Sequence, residues 1–385
     1  MLVHRALRGT GRLTVSGVMA VTLVGACAPG GGSRSEGSAT HSAPVSAGAG
    51  APSADPGPDA GGADAGADTS ADNVVDYVVA ISVDGLNPTA IRRLGPSGAP
   101  AFHRMLGNGS TTLNARTEYE QTRTLPNHSG MVTGRPILGP RGHGATFNSD
   151  NERTVRESAG AYVSSMFDQV HDSGGSTAFY SAKTKLDFLD RSWNARHGRP
   201  DAVGVDNGRD KIDRYIVDDE PSNVTRLVNR LHAAPDELSF VHVAYPDRAG
   251  HAYGFMSARY LQAVRQTDRQ LGRILDAVRA DTRLRRHLDV VLTADHGGYG
   301  AGHSDMTKAY NYTVPFMAWG VGVARNADLY ALNAGSRKRP GVGRPTYAGR
   351  QPIRNAEVAN LAVDLLDLPS VPGSVFDRGQ RLSLR

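Results

Sequence analysis

Val78-Val79-Ala80-Ile81-Ser82-Val83 runs almost without polar interruption and stops at Asp84-Gly85. A strand with one solvated face alternates polar and apolar residues. A run without alternation fits a strand covered on both faces, as in a parallel sheet. Segments 176–182, 238–245 and 288–294 share this character, and 314–319 reads as a further short strand. Between them, segments 161–172, 222–233, 258–279 and 355–366 read as helices. In the longest, Leu261, Val264, Leu271, Ile274, Leu275 and Val278 recur at roughly helical spacing. Strands alternating with helices predict an α/β domain of three layers, α/β/α, around a mostly parallel central sheet.

Working outward, chemistry-bearing residues fall where such strands end. Asp84 closes the first strand, Asp247 follows the third, and Asp295-His296 closes the fourth. In open α/β sheets function collects at the carboxyl ends of strands, so three acids at three such ends converge on one edge. Asp247-x-x-x-His251 adds a histidine one helical turn away if that loop is helical. Mixed carboxylate and imidazole ligands favour zinc over magnesium or calcium. Thr124-Leu125-Pro126-Asn127-His128 lies among these residues in the chain. A metal beside a hydroxyl lowers its pKa and makes a nucleophile at neutral pH, so the pattern reads as a metal-dependent hydrolase.

The chain has 385 residues, and not all of them suit a packed domain. Residues 1–26 carry Arg5, Arg8 and Arg12 ahead of an apolar run too short for a comfortable membrane span, a signal-peptide layout. The run ends Leu23-Val24-Gly25-Ala26-Cys27, which resembles a lipobox, and Cys27 is the sole cysteine. Residues 28–73 are almost all Ala, Gly, Ser, Pro, Asp and Thr and read as a disordered linker. The catalytic domain is expected over 74–385. Without residues 1–26 the formal charge falls from +5 to +2, with no dense basic run interleaved with aromatics, so nucleic acid is excluded as a binding partner. These features predict an exported protein, either secreted or held on the outer face of the cell membrane by a lipid on Cys27. They set no oligomeric state.

Ser82-Val83-Asp84-Gly85, Thr124-Leu125-Pro126-Asn127-His128 with Val132-Thr133-Gly134, Asp247-x-x-x-His251 and Asp295-His296-Gly297, in that order, resemble the alkaline phosphatase superfamily. The branch they are most similar to is the type I phosphodiesterase/nucleotide pyrophosphatase group. The resemblance implies an alkaline phosphatase-like fold and two Zn2+ ions about 4 Å apart. It implies that Asp247, His251 and a third histidine hold one ion. Asp84, Asp295, His296 and the Thr124 hydroxyl hold the other. His303, shortly before the strand 314–319, stands where the third histidine is needed, over a shorter span than in many relatives. Thr124 would attack phosphorus and pass through a phosphothreonine intermediate.

Three further residues are candidate substrate contacts. Asn148, five residues after His143-Gly144, resembles an asparagine that donates to the phosphoryl group. Lys183 and Lys185 resemble a paired-cation element of phosphonate hydrolases and some monoesterases; on an extended segment both could point the same way. Leu125 stands where nucleotide-cleaving relatives usually carry a stacking Phe. Together these favour a phosphatase-type hydrolase of small phosphorylated or phosphonate substrates. The alternatives are a phosphodiesterase or nucleotide pyrophosphatase, a phosphonoacetate-type C–P hydrolase, and a non-catalytic, ligand-binding surface lipoprotein of the same fold.

Overall fold

The computed structural model describes residues 74–205 and 207–385; the expected leader, Cys27 and the expected 28–73 linker lie outside the described residues. The described strands are β1 (Tyr77–Val83), β2 (Ser110–Arg116), β3 (Thr177–Ser181), β4 (Arg214–Val217), β5 (Leu238–Val243), β6 (Leu288–Thr293), β7 (Thr313–Gly320) and β8 (Ala327–Asp328). They form one sheet in the order β4-β3-β5-β1-β6-β7-β2-β8. The pairs β4-β3, β3-β5, β5-β1 and β1-β6 are parallel, and β7 runs antiparallel to both β6 and β2. The sheet is thus mostly parallel, as the unalternating runs predicted.

β1 lies inside the sheet, and every residue from Val78 to Val83 is buried. The helix Ala258–Ala280 buries the six apolar residues whose spacing announced it. The helix Val358–Leu365 packs on β1 and β6, and the helix Glu220–Ala233 on β3 and β5. The helix expected over 161–172 is shorter, Met166–His171. The Ser165 side chain caps it through the N–H of Asp168, and Asp168 returns a bond to the Ser165 N–H, so the first turn is fixed there. β2 and β4 carried no apolar-run signal. β2 is Ser-Thr-Thr-Leu-Asn-Ala-Arg and is a strand because β7 and β8 flank it; β4 is a half-buried strand at the sheet edge.

For function, the decisive feature is the local order β3-β5-β1-β6. It sets the segments that follow these strands side by side: Lys183 after β3, Asp247 after β5, Asp84 after β1 and Asp295 after β6. Gly85 takes the turn out of β1 at φ +72°, and a Cβ there would lie 3.0 Å from the Asp247 Cα. Only glycine combines that backbone with so close an approach.

Candidate metal centre

Asp84, Asp295 and His296 are completely buried, and Asp247 nearly so. Backbone groups hold them in place. The Gly85 and His296 N–H groups donate to Asp295 Oδ1, and the Asp247 N–H donates to the Asp84 carbonyl. The ring of His296 donates from Nδ1 to the Gly297 carbonyl at 2.9 Å, because a carbonyl can only accept. Its Nε2 therefore carries a lone pair. That lone pair faces Asp84 Oδ1 at 3.4 Å, Asp295 Oδ2 at 3.4 Å and Asp247 Oδ1 at 3.9 Å.

These four atoms, Asp84 Oδ1, Asp247 Oδ1, Asp295 Oδ2 and His296 Nε2, are buried without a hydrogen-bond partner. Unpartnered buried acceptors turned toward one another repel and are costly. A divalent cation among them satisfies all four. The residues therefore fit the metal that the sequence pattern called for.

Beside this cluster, the helix Tyr245–Tyr253 sets His251 one turn after Asp247, and Gly254 ends it at φ 87°. His251 Nε2 lies 3.3 Å from Asp247 Oδ1 and 3.1 Å from His303 Nε2. His303 donates from Nδ1 to the Thr122 carbonyl at 2.7 Å, so its Nε2 carries a lone pair, which accepts from His251 Nε2. Asp247, His251 and His303 each offer a ligand atom within 4.8 Å of the others, and so do Asp84, Asp247 and His296. Asp247 thus belongs to both groups, where the sequence reading gave it to one.

Burial pushes Asp84 up, but Lys183 and the imidazoles of His242 and His296 outweigh it and hold this carboxyl well below the usual range. Asp247 behaves alike: burial and the Asp84 charge raise it, while His251 and Lys183 bring it down. Asp295 is pushed well above the carboxylate range by burial, reinforced by the charges of Asp84 and Asp247. Burial, with His303 beside it, lowers His296 to about 3.

The helix Thr124–Thr133 starts after Arg123, which adopts an extended backbone as N-cap; Thr124 is its first residue. Asn148 Oδ1 accepts the Leu125 N–H at 3.1 Å and so satisfies one free N–H of the first turn. His128 donates to the Thr124 carbonyl, bonds Ser82 on β1 through Nε2 and lies 3.7 Å from Asp295 Oδ2. Asn127 ties the chain before the helix through Gln121, Arg123 and Glu118. Thr122 exchanges two hydrogen bonds with His303. The Thr124 turn is therefore bracketed by His303 on one side and, through His128, by Asp295 on the other. Leu125 is fully buried in the core.

Lys185 is half-buried, with Nζ 3.4 Å from Asn148 Oδ1. Lys183 is not its twin: Nζ bonds Asp84 Oδ2 at 2.7 Å and pairs with Asp247 Oδ2. The two lysines, expected to face one substrate, do different things. The sequence reading also missed His242. Buried in β5, it accepts the Ala182 N–H at Nδ1 and donates from Nε2 to Asp84 Oδ2 at 3.1 Å. The one signal for it was a histidine inside an otherwise apolar strand, beside the strand that ends in Asp84.

With this geometry in view, residues 78–310 match the model of the type I phosphodiesterase / nucleotide pyrophosphatase family. The chain belongs to that family. Human ectonucleotide pyrophosphatase/phosphodiesterase family member 1 is 27% identical over 206 residues, 51% of this chain and 21% of its own. GPI ethanolamine phosphate transferase 1 of Yarrowia lipolytica is 25% identical over 150 residues, 33% of this chain and 16% of its own. The chain thus spans about a fifth or less of the length of these relatives. Among solved structures, murine ectonucleotide pyrophosphatase / phosphodiesterase 5, as an inactive variant in complex with AMP, superposes with a TM-score of 0.54 at 14% identity. The match covers 80% of this chain and 99% of that one. The likeness is one of fold, alkaline phosphatase-like α/β.

Proposed function

We propose that the chain is a zinc-dependent hydrolase of phosphoric esters in which Thr124 is the nucleophile. The observation that carries this reading is the convergence of four unpartnered buried ligand atoms beside the turn that starts with Thr124. Asp247, His251 and His303 would hold one ion, and Asp84, Asp295, His296 and Thr124 the other. When bound, the ions would neutralise phosphoryl charge and lower the pKa of the hydroxyl. Thr124 Oγ1, its proton passed to solvent, would attack phosphorus; the ester oxygen would depart with the electron pair of its bond to phosphorus and take a proton from water. A water molecule would then cleave the phosphothreonine, its hydroxide going to phosphorus and its proton back to Thr124 Oγ1. The Asn148 amide, with Oδ1 held by the Leu125 N–H, is free to donate from Nδ2 to a phosphoryl oxygen. Lys185 supplies a positive charge next to it.

One observation favours diester or pyrophosphate bonds over monoesters. With Lys183 engaged by two carboxylates, one lysine is left for the substrate. A dianionic terminal phosphate gains most from two cations, a monoanionic diester less. Family membership points the same way. The complex of the murine neighbour with AMP makes a nucleotide a reasonable probe.

Export by residues 1–26 and a lipid on Cys27 complete the reading. Cys27→Ser should move the protein out of the membrane fraction. The functional test compares bis(p-nitrophenyl) phosphate, p-nitrophenyl phosphate and phosphonoacetate, with zinc measured on the same sample. Faster diester cleavage and about two zinc ions per chain support the proposal. A dominant monoester rate would restore the phosphatase-type reading. A chain that takes up no metal would sink the mechanism.

A further inference from the structure

Lys183 stands apart from every other cation near the site. Its Nζ meets Asp84 and Asp247 through their Oδ2 atoms. The Oδ1 atoms of the same two carboxylates are the unpartnered ones that face the histidines. One ammonium therefore fixes the rotation of both groups and turns one oxygen of each toward the metal position.

The backbone around Lys183 is tied to the same place. Ser181 Oγ accepts the Lys183 N–H and donates to the Lys183 carbonyl. The Ala182 N–H donates to His242, which itself donates to Asp84. Arg248 is held by Glu220 and donates to the Ala182 carbonyl. Lys185, two residues on, has none of these ties to the acids, and its nearest polar contact is Asn148.

We infer that Lys183 is a fixed counter-cation for the metal-ligand carboxylates, a positioning residue rather than a substrate contact. The inference rests on the assignment of Asp84 and Asp247 as metal ligands. Three buried carboxylates share the site, and Lys183 is the fixed cation that bonds two of them. In the metal-free protein it compensates charge that would otherwise be stranded. With divalent ions bound, the compensation is redundant and its charge opposes theirs. Lys183 therefore stabilises the metal-free fold at the expense of metal affinity.

The test is thermal unfolding of the full chain as wild type, Lys183→Met, Lys183→Arg and Lys185→Met, each with chelator and with saturating zinc. In chelator, Lys183→Met should lower Tm by roughly 5–10 °C, and with zinc by less than half of that. By linkage it should hold zinc more tightly, by roughly tenfold or more, against a competing chelator. Lys183→Arg should retain most of the metal-free stability. Lys185→Met should leave the metal-free Tm unchanged and raise KM. If Lys183→Met does not fold, Asp84→Asn/Lys183→Met, which removes a charge of each sign, should recover a folded metal-free chain. Failure of that recovery overturns the inference. So does an equal drop in Tm with and without zinc, or a raised KM at unchanged metal-free stability. Absence of phosphoesterase activity with the expected Tm pattern would sink the proposed function and leave this inference standing.

Discussion

Two regions of the molecule gather the same residue types and come out differently. At the carboxyl edge of β5, β1 and β6, Asp84, Asp247, Asp295 and His296 leave four atoms without partners. At the other side of the parallel strands, near β3 and β4, His171, Asp172 and Asp201 also lie close enough to hold an ion. There Lys211, with no exposed side-chain surface, pairs with Asp172 and lies 2.6 Å from Asp201, while His171 bonds Asp201 at 3.0 Å. No side-chain atom of these residues is among the buried unpartnered ones. Each region has a lysine between two carboxylates. In the far cluster Asp201 spends one oxygen on Lys211 and His171 and the other on the Val203 N–H, and Asp172 lies open to solvent. At the strand ends the lysine takes one oxygen of each carboxylate and leaves the second buried without a partner. Unspent buried lone pairs, more than residue type, mark the candidate metal centre.

The largest effect that would sharpen this contrast is on turnover. Thr124→Ala should lose at least ~10^3-fold in kcat, as expected when a covalent nucleophile is removed. Zinc content should stay near that of the wild type, since Asp84, Asp295 and His296 remain. Steady-state kinetics with metal analysis on one preparation checks both. Substantial turnover in that variant would remove Thr124 from its role.

Next comes metal occupancy. Asp247→Asn should lose zinc and most activity, because this residue reaches both ligand groups. His303→Ala should lose about one ion, the one shared with His251. Unchanged stoichiometry in His303→Ala would show that the short span from His296 to His303 does not close the first group.

The acids at the strand ends were legible because topology is coarse. Any parallel order that brings β5, β1 and β6 together brings Asp247, Asp84 and Asp295 together as well. His303 was legible only by position, and its contact with Thr122 comes from a fold that sequence spacing does not encode. The equivalence of Lys183 and Lys185 was a misreading of a different kind. Period-two spacing gives direction on a straight strand, but Lys183 lies just past the end of β3 and Thr184–Leu186 forms a tight helical turn. His242 was hidden because a histidine inside an apolar strand is a weak signal on its own; its meaning comes from the neighbouring strand β1.

The two lysines give a smaller, cleaner test. Lys211→Met strands the buried Asp201 carboxylate and should destabilise the chain by about 3–5 kcal/mol. Unlike the loss at Lys183, this cost should be the same with chelator and with zinc, as denaturant unfolding in both conditions would read. A zinc-dependent cost at Lys211 would turn the far cluster into a second metal centre and break the comparison.

Acidity should separate the regions as well. Asp295 has its pKa raised, so the metal-free protein keeps a proton there above the ordinary carboxylate range. Zinc must displace that proton, so zinc affinity should rise with pH until the metal-free pKa of Asp295 is passed, and level off above it. The sign follows from the direction of the shift: a raised acid binds its proton more tightly and competes more strongly as pH falls. Asp295→Asn should weaken binding and flatten that slope. Competition with a chromophoric chelator at several pH values would show it, and a slope unchanged in Asp295→Asn would assign the proton elsewhere.

The smallest effect is the most discriminating between residue type and lone-pair accounting. Asp201→Asn removes one of three candidate ligands from the far cluster and leaves its histidine in place. If that cluster is only an ion-pair network, zinc content should be unchanged and kcat/KM within about twofold, because no atom there is linked to the Thr124 turn. Stability should still fall, by about 1–3 kcal/mol, since Lys211 loses a partner while staying buried. A variant that is less stable yet equally metallated is what a satisfied cluster predicts. Loss of an ion from Asp201→Asn would mean that pairing with lysine does not exclude a metal, and the same doubt would then reach Lys183.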